Sequence, residues 1–258
     1  INILSRYIIF MYNFDFAIIL PCTIDPGEMP NVARHDIEIR LNDYKKSFNF
    51  WISNKYVNKI IFIENSGYDL SFFYEISKKF PDKIVEIISS NSNHSFDKKL
   101  GKGYGEYLCL KEIFENSKIA KETNYFIKIT GRYIIKNFDS ILKDIIINNS
   151  DIYVNLSNNL KYSNSVIYGG GKKFFENYII PEKKNTTDEI NNISENKVAS
   201  ATLKAISDGL TLSRVPIYAD TEGYIGSNGK KLKQNIFKKI KLYFFRKLKI
   251  YFFNHKKY

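Results

Sequence analysis

"KIIFIENSGYDLSFFYEISKKFPDKIVEIIS", residues 59–89, holds the pattern that decides the fold. Lys59–Glu64 is a short Ile/Phe run without polar alternation, which reads as a strand buried on both faces, and "NSG" closes it. Asp69–Phe80 reads as a helix with Asp69 near its N-cap, ended by Pro81. Ile84–Ser89 is again an apolar run and reads as a strand. Strand, helix and strand, with both strands apolar throughout, imply parallel neighbours in a sheet covered on both faces.

The alternation continues outward. Before this unit, Phe14–Leu20 ("FDFAIIL") is a buried strand that ends at Pro21. Asp36–Ser53 carries Ile37, Leu41, Tyr44, Phe48 and Trp51 at helical spacing. After it come a polar loop ("SSNSNHSFDKKLGKG"), a helix over Tyr104–Ser117, and strands over Tyr125–Thr130 and Asp151–Leu156. A short helix over Lys172–Ile179, a polar loop over Pro181–Asn192 and a helix over Ser194–Ser207 follow. Ser194 is the expected N-cap of that helix and Gly209 its stop. Arg214–Ala219 reads as a last short strand. The expected fold is an α/β three-layer sandwich with a mostly parallel central sheet. Residues 12–229 form one body, with no internal repeat and no linker. In such sheets a ligand sits beyond the carboxyl ends of the strands, here after Leu20, Glu64, Ser89 and Thr130.

Charge divides the chain in two. Of 39 Lys and Arg, 11 lie in residues 230–258, which hold none of the 27 Asp and Glu. The net charge of +12 is thus almost wholly a property of that tail. On a helical wheel, Ile236, Phe237, Ile240, Tyr243, Phe244 and Tyr251 share one half, and Lys238, Lys239, Lys241, Arg246 and Lys249 the other. A C-terminal amphipathic basic helix of this kind lies in the plane of an anionic membrane surface, where each Lys or Arg contributes about 1 kcal/mol. Its Lys residues interrupt it too often for a span. Aromatics grouped on a helix face favour lipid over nucleic acid. A final helix packed on the body, its basic face in solvent, is the plainer alternative.

Cys22 and Cys109 lack metal-type spacing and suggest a reducing compartment without a disulfide framework. "INILSRYIIF" does not begin with Met, lacks a small-residue cleavage site and precedes Met11. It reads as neither signal peptide nor membrane span, and a start at Met11 is expected. A cytoplasmic protein, peripheral at the inner face of the plasma membrane, follows.

Five segments could carry chemistry. After strand one, "PCTIDPGEMPNVARHDIEIR" holds Asp25, Arg34, His35 and Arg40, and an Arg fork suits a diphosphate. Arg34 and Arg40 serve equally as surface charges at a helix start. "ENSG" offers Glu64 and Asn65 to a ribose or base, and is also an ordinary turn. "GKGYGE" places Lys102 and Gly103 just before a helix, where backbone N–H groups attract phosphate. Glu106 there could simply complement the helix dipole. "YFIKITGRYIIKN" is the sharpest: an apolar strand with one Lys, Lys128, ends in Thr130-Gly131-Arg132-Tyr133. That puts a fixed cation at the working edge of the sheet, unless Gly131 is only a turn and Arg132 pairs with a surface acid. Glu195, in the first turn of its helix, could act as a base or complement the dipole. No HExxH, Cys/His cluster, Ser nucleophile elbow or kinase set is present, and His35, His94 and His255 are dispersed. No metal ligand set is assigned.

In serial order the motifs resemble bacterial glycosyltransferases with the GT-A fold, which use nucleotide sugars to build capsule, lipopolysaccharide or other surface polysaccharide. The resemblance covers residues 12–229. It rests on "FAIILPCTIDP", "IIFIENSG", "KGYGE", "FIKITGRY", "VIYGGGKKFFENYI", "SENKVASATLKAI" and "EGYIGSNGK". It implies a hexosyltransferase-type enzyme with a UDP-sugar as default donor and a glycan, often lipid-linked, as acceptor. Asp25, Arg34, Glu64, Asn65, Lys102, Gly103, Lys128, Thr130, Gly131 and Arg132 would face the donor. Tyr133 and Gly169-Gly170-Gly171 would face sugar and acceptor. Many such enzymes hold Mn or Mg on an Asp-x-Asp, whose place reads Thr130-Gly131-Arg132 here. Arg132 would then supply positive charge to the departing diphosphate. Asp220-x-Glu222 and Asp36-x-Glu38 are other metal candidates, out of the usual place. In an inverting enzyme Glu195 would be the base. A sugar nucleotidyltransferase, or a non-catalytic module binding membrane or RNA through its tail, are the alternatives.

Overall fold

A computed structural model describes residues 14–189, 192–213 and 217–232. Strands β1 (Phe16–Cys22), β2 (Lys59–Glu64), β3 (Ile84–Ser89), β4 (Tyr125–Ile129), β6 (Ile152–Tyr153) and β7 (Ile167–Gly171) form one sheet of order β3-β2-β1-β4-β7-β6. β3, β2, β1 and β4 are mutually parallel, and β7 runs antiparallel to both β4 and β6. β5 (Ile134–Ile135) and β8 (Thr221–Glu222) make a small antiparallel pair.

Alternate residues of β1 supply two cores. Phe16, Ile18 and Leu20 pack with Phe48 and Trp51 of α1 (Ile37–Ile52), Phe73 of α2 (Ser71–Ser77) and Ile141 of α5 (Phe138–Asn148). Ala17 and Ile19 pack on the other face with Leu110 of α3 (Gly101–Asn116), Ile119 of α4 (Lys118–Glu122) and Val198 of α7 (Ser194–Ser207). That face also receives α6, a helical segment over 172–183 that is π-helical across Phe175–Ile179. Helices on both faces give the three-layer α/β sandwich expected from the sequence.

Several elements differ from the expectation. β1 runs past Pro21 to Cys22, because its ladder with β4 ends at Ile19 and Pro21 sits where the two strands part. α3 begins at Gly101, so the glycines of "GKGYGE" lie inside its first turns rather than before it. α7 is capped at Ile193 and not by the Ser194 side chain. The expected polar loop 181–192 is helical to Lys183, whose side chain is buried. α4, α5, β5, β7 and β8 were not anticipated.

Of the expected strand 214–219, residues 214–216 lie outside the described residues and no strand spans 217–219. The start expected at Met11 and the tail helix also lie outside the described residues, apart from its first residues. Lys230–Leu232 fold back on 223–225, with Leu232 N–H donating to the Gly223 carbonyl at 2.9 Å. No described helix is long and apolar enough to cross a membrane.

Candidate functional site

Two charged clusters occupy the carboxyl edge of the parallel strands. The first gathers at β4. Lys128 is fully buried, and its Nζ pairs with Glu106 of α3 and donates to the Ser165 carbonyl at 2.9 Å. Lys183, also fully buried, reaches the other Glu106 oxygen at 2.8 Å and bonds the Ser194 hydroxyl. Glu106 therefore bridges two buried ammonium groups. Burial works to raise the Glu106 carboxyl, but Lys128 and Lys183 outweigh it and bring it down to about 2. Burial pushes the Lys128 ammonium below the usual lysine range, against the pull of Glu106. Two lysines thus share one carboxylate at this edge.

Glu195 adjoins this triad. Ser165 Oγ donates to its carboxylate at 2.7 Å, while its main-chain carbonyl accepts from both the N–H and the hydroxyl of Ser163, each at 3.1 Å. The segment 163–166 is tied in turn to the strand exit, where Thr130 N–H donates to the Val166 carbonyl at 2.9 Å. Glu195, Ser165 and Thr130 are all half-buried. A carboxylate, a hydroxyl and a buried cationic pair thus meet at one place.

The second cluster lies at the ends of β1 and β2. Glu64 is fully buried and accepts from the N–H groups of Ile24, Ser66 and Tyr68, at 2.9 to 3.0 Å, and from the Ser66 hydroxyl. Arg40 donates to the carbonyls of Thr23, Ile24 and Arg34. Asn65 accepts from the Thr23 hydroxyl at 2.6 Å, and Asp25 accepts from Gly27 N–H at 2.8 Å. These polar groups fix the loop after β1 to the loop after β2. Both Glu64 oxygens accept from main-chain N–H groups, so this carboxylate sets the geometry of the two loops.

Arg34 and Arg132 each contact Tyr224. Arg34 pairs with Asp43 at 2.8 Å and lies over the Tyr224 ring at 4.2 Å. Arg132 Nε donates to the Tyr224 carbonyl at 3.2 Å, and its guanidinium lies 5.0 Å from the Tyr133 ring centre. A Cβ added at Gly226 would stand 2.7 Å from Arg132 Nη2, so the hairpin glycine makes room for the cation. The Tyr133 carbonyl is held from α1 by Trp51 Nε1 at 2.9 Å and Ser47 Oγ at 3.0 Å. A Cβ on Gly131 would overlap the Pro21 carbonyl oxygen, which accepts from Gly131 N–H at 3.1 Å. Glycine there lets the strand exit close against β1.

Two glycine groups serve packing. In β7, Gly171 pairs with Tyr125, the first residue of β4, so this run points to the amino edge, away from the clusters. A Cβ on Gly169 would meet the Phe126 carbonyl at 2.9 Å, and one on Gly170 would meet the Phe174 ring at 2.5 Å. At Gly169 and Gly170 the missing side chain makes room for the chain's own packing. Gly103 accommodates Thr186, and among the described residues exposed Lys102 reaches the Asn31 carbonyl at 3.5 Å.

The metal candidates do not fit. Asp36 accepts from Ile39 N–H as the cap of α1, and Glu222 is paired with Lys46 at 2.6 Å and Lys136 at 2.8 Å. Among the described residues no group of three or more His, Cys, Asp or Glu could hold a metal ion. Cys22 and Cys109 are buried thiols in opposite cores, raised by burial.

The sequence reading missed Lys183 and Ser165, and treated Glu106 as a dipole partner. Lys128 carried the usable signal, a lone charge in an apolar strand. Such a residue needs a buried counter-ion, and Glu106 was available in the preceding helix.

No family model matches the chain, and no curated protein matches it. Among solved structures it is similar to S. aureus TarS, at 11% identity and a TM-score of 0.43, covering 80% of this chain and 36% of that one. It is also similar to a cytidylyltransferase from Leptospira borgpetersenii, at 10% identity, a TM-score of 0.45, and coverage of 95% and 99%. A third is core-mannan synthase A from Aspergillus fumigatus in its Mn/GDP form, at 9% identity, a TM-score of 0.42, and coverage of 86% and 79%. Likeness at this level carries no argument about activity, which rests on this chain's own residues.

Proposed function

We propose that this chain is a glycosyltransferase that moves a sugar from a nucleotide diphosphate donor to a hydroxyl of a glycan acceptor. One observation carries the reading: the Glu195 carboxylate is held by Ser165 at the carboxyl edge of β4, beside a buried triad in which two lysines share the Glu106 carboxylate. In the proposed step Glu195 takes the proton of the acceptor hydroxyl. The freed oxygen pair bonds the anomeric carbon, and the bond to the diphosphate oxygen breaks, releasing the nucleoside diphosphate. Arg132 and the Lys128–Lys183 pair supply the positive field toward which that leaving group develops charge. A UDP-sugar is the default donor, in keeping with the motif order described above.

The tail 230–258 would keep the site near an anionic cytoplasmic membrane face, where a lipid-linked acceptor lies. Its 11 basic residues and lack of acids support that placement. Co-sedimentation with phosphatidylserine vesicles, lost on truncation at 233, is the expected result; equal sedimentation without the tail would remove the membrane from the proposal.

Thermal stability against UDP-, GDP-, CMP- and dTDP-sugars, with and without Mn²⁺ or Mg²⁺, tests the donor. A ligand bound only by the folded state raises Tm. A rise with one nucleotide class, weakened in Arg132→Ala, supports the proposal. No rise with any class would defeat it, and release of pyrophosphate from a nucleoside triphosphate would replace it with a nucleotidyltransferase.

A further inference from the structure

Ser165 is gripped on both sides. Its carbonyl accepts from Lys128 Nζ at 2.9 Å, and its hydroxyl donates to Glu195 Oε1 at 2.7 Å. Lys128 cannot swing away, because it is fully buried, ion-paired to Glu106, and 5.2 Å from the Tyr168 ring centre. Thr130 Oγ1 lies 3.4 Å from the same Nζ. Glu106 is fixed in turn by Lys183, which bonds the Ser194 hydroxyl one residue before Glu195. The chain of contacts therefore leaves the helix α7 start through Ser194 and returns to it through Ser165. Ser163 adds a main-chain hold on Glu195. Three separate elements, β4, α3 and α6, converge on the orientation of one carboxylate.

A carboxylate on the first turn of a helix has several rotamers open to it, and a base works only when its oxygen is held within reach of the proton it takes. A serine that is itself immobilised by a buried cation removes that freedom. We propose that Ser165 is a positioning residue for Glu195, with the buried Lys128–Glu106–Lys183 triad as the rigid frame that holds it. This rests on the glycosyltransferase reading for its catalytic meaning, but the geometric claim stands apart from it. Ser165 touches no reacting atom; it acts through the Glu195 carboxylate.

The test uses the full chain and three variants: Ser165→Ala, Ser165→Thr and Glu195→Gln. The Glu195 carboxyl resonance is assigned in ¹³C NMR by its loss in Glu195→Gln. Turnover is read as UDP release from UDP-glucose, UDP-galactose and UDP-N-acetylglucosamine, with protein-free buffer as the baseline. Ser165→Ala should move the Glu195 resonance and lower kcat at least tenfold with donor KM within twofold, while Tm stays near the wild-type value. Ser165→Thr keeps the hydroxyl and should restore both readouts. An unmoved resonance in Ser165→Ala would overturn the proposal, as would a loss of kcat that threonine does not rescue. If no UDP-sugar is turned over, the resonance alone decides. Glu195→Gln turning over donor at the wild-type rate would sink the catalytic reading and leave the positioning claim to the NMR.

Discussion

The two clusters at the carboxyl edge hold similar residues and use them in opposite ways. At the ends of β1 and β2, Glu64 and Arg40 bond almost entirely to main-chain groups, so charge is converted into loop geometry. At the end of β4, Lys128, Glu106, Lys183 and Glu195 bond mostly to other side chains, so charge is kept as charge. The difference teaches that an acid or cation at a strand exit marks the working edge without saying what it does there. A carboxylate whose oxygens are spent on N–H groups is architecture, while one held by a single hydroxyl keeps a lone pair for chemistry.

The sharpest way to break this contrast is Glu106→Ala. It leaves two ammonium groups buried without a counter-ion and should cost about 3–5 kcal/mol, read as a large fall in the denaturant midpoint. A loss below about 1 kcal/mol would mean that water reaches the triad. Glu64→Ala strips an acceptor from three main-chain donors and should cost about 2–3 kcal/mol. Its donor affinity should fall only in step with stability. A selective loss of affinity in a fully folded Glu64→Gln would move Glu64 from architecture to ligand contact.

Gly131→Ala drives a methyl into the Pro21 carbonyl and should cost about 1–3 kcal/mol through displacement of the strand exit, measured by thermal melting. The triad also sets an acid response. The Glu106 carboxyl lies at about 2 when folded, below its unfolded value of about 4.3, so its stabilisation is full above that value. It is lost as pH falls from about 4.3 toward 2, where protonation drags the folded state down. The melting temperature of Glu106→Gln should therefore fall less steeply across that window than that of the parent chain. Equal slopes would show that the carboxylate is not ionised by its lysines. The smallest effect belongs to Lys102→Ala: an exposed side chain should change stability by no more than about 0.5 kcal/mol. Any change in nucleotide affinity then reports Lys102 directly.

The parallel strands were legible because each is a short unbroken apolar run, and β2 and β3 fall where the sequence put them. β7 was not, because its second half is Gly169-Gly170-Gly171, and glycine carries no strand preference in sequence. Only the pairing with β4 and the press of Phe174 explain it. α5 has Asn137 at its N-cap, but that side chain bonds the Tyr218 carbonyl and Asp220 N–H instead of capping the helix. Among site residues, Lys128 announced itself by contrast with its neighbours. Lys183 did not, since it sits in a stretch of Lys, Glu and Asn that reads as solvated surface. Its burial is decided by a carboxylate far away in sequence, which no local pattern encodes.

The indole of Trp51 has a further use. It is the chain's one tryptophan, fully buried, and its N–H is bonded to the carbonyl of Tyr133, next to Arg132. The protein therefore carries a single native indole fluorophore, bonded to the segment that is expected to meet the nucleotide. Emission from that ring, excited apart from the tyrosines, gives an unlabelled optical readout of whether the strand exit shifts when a ligand arrives.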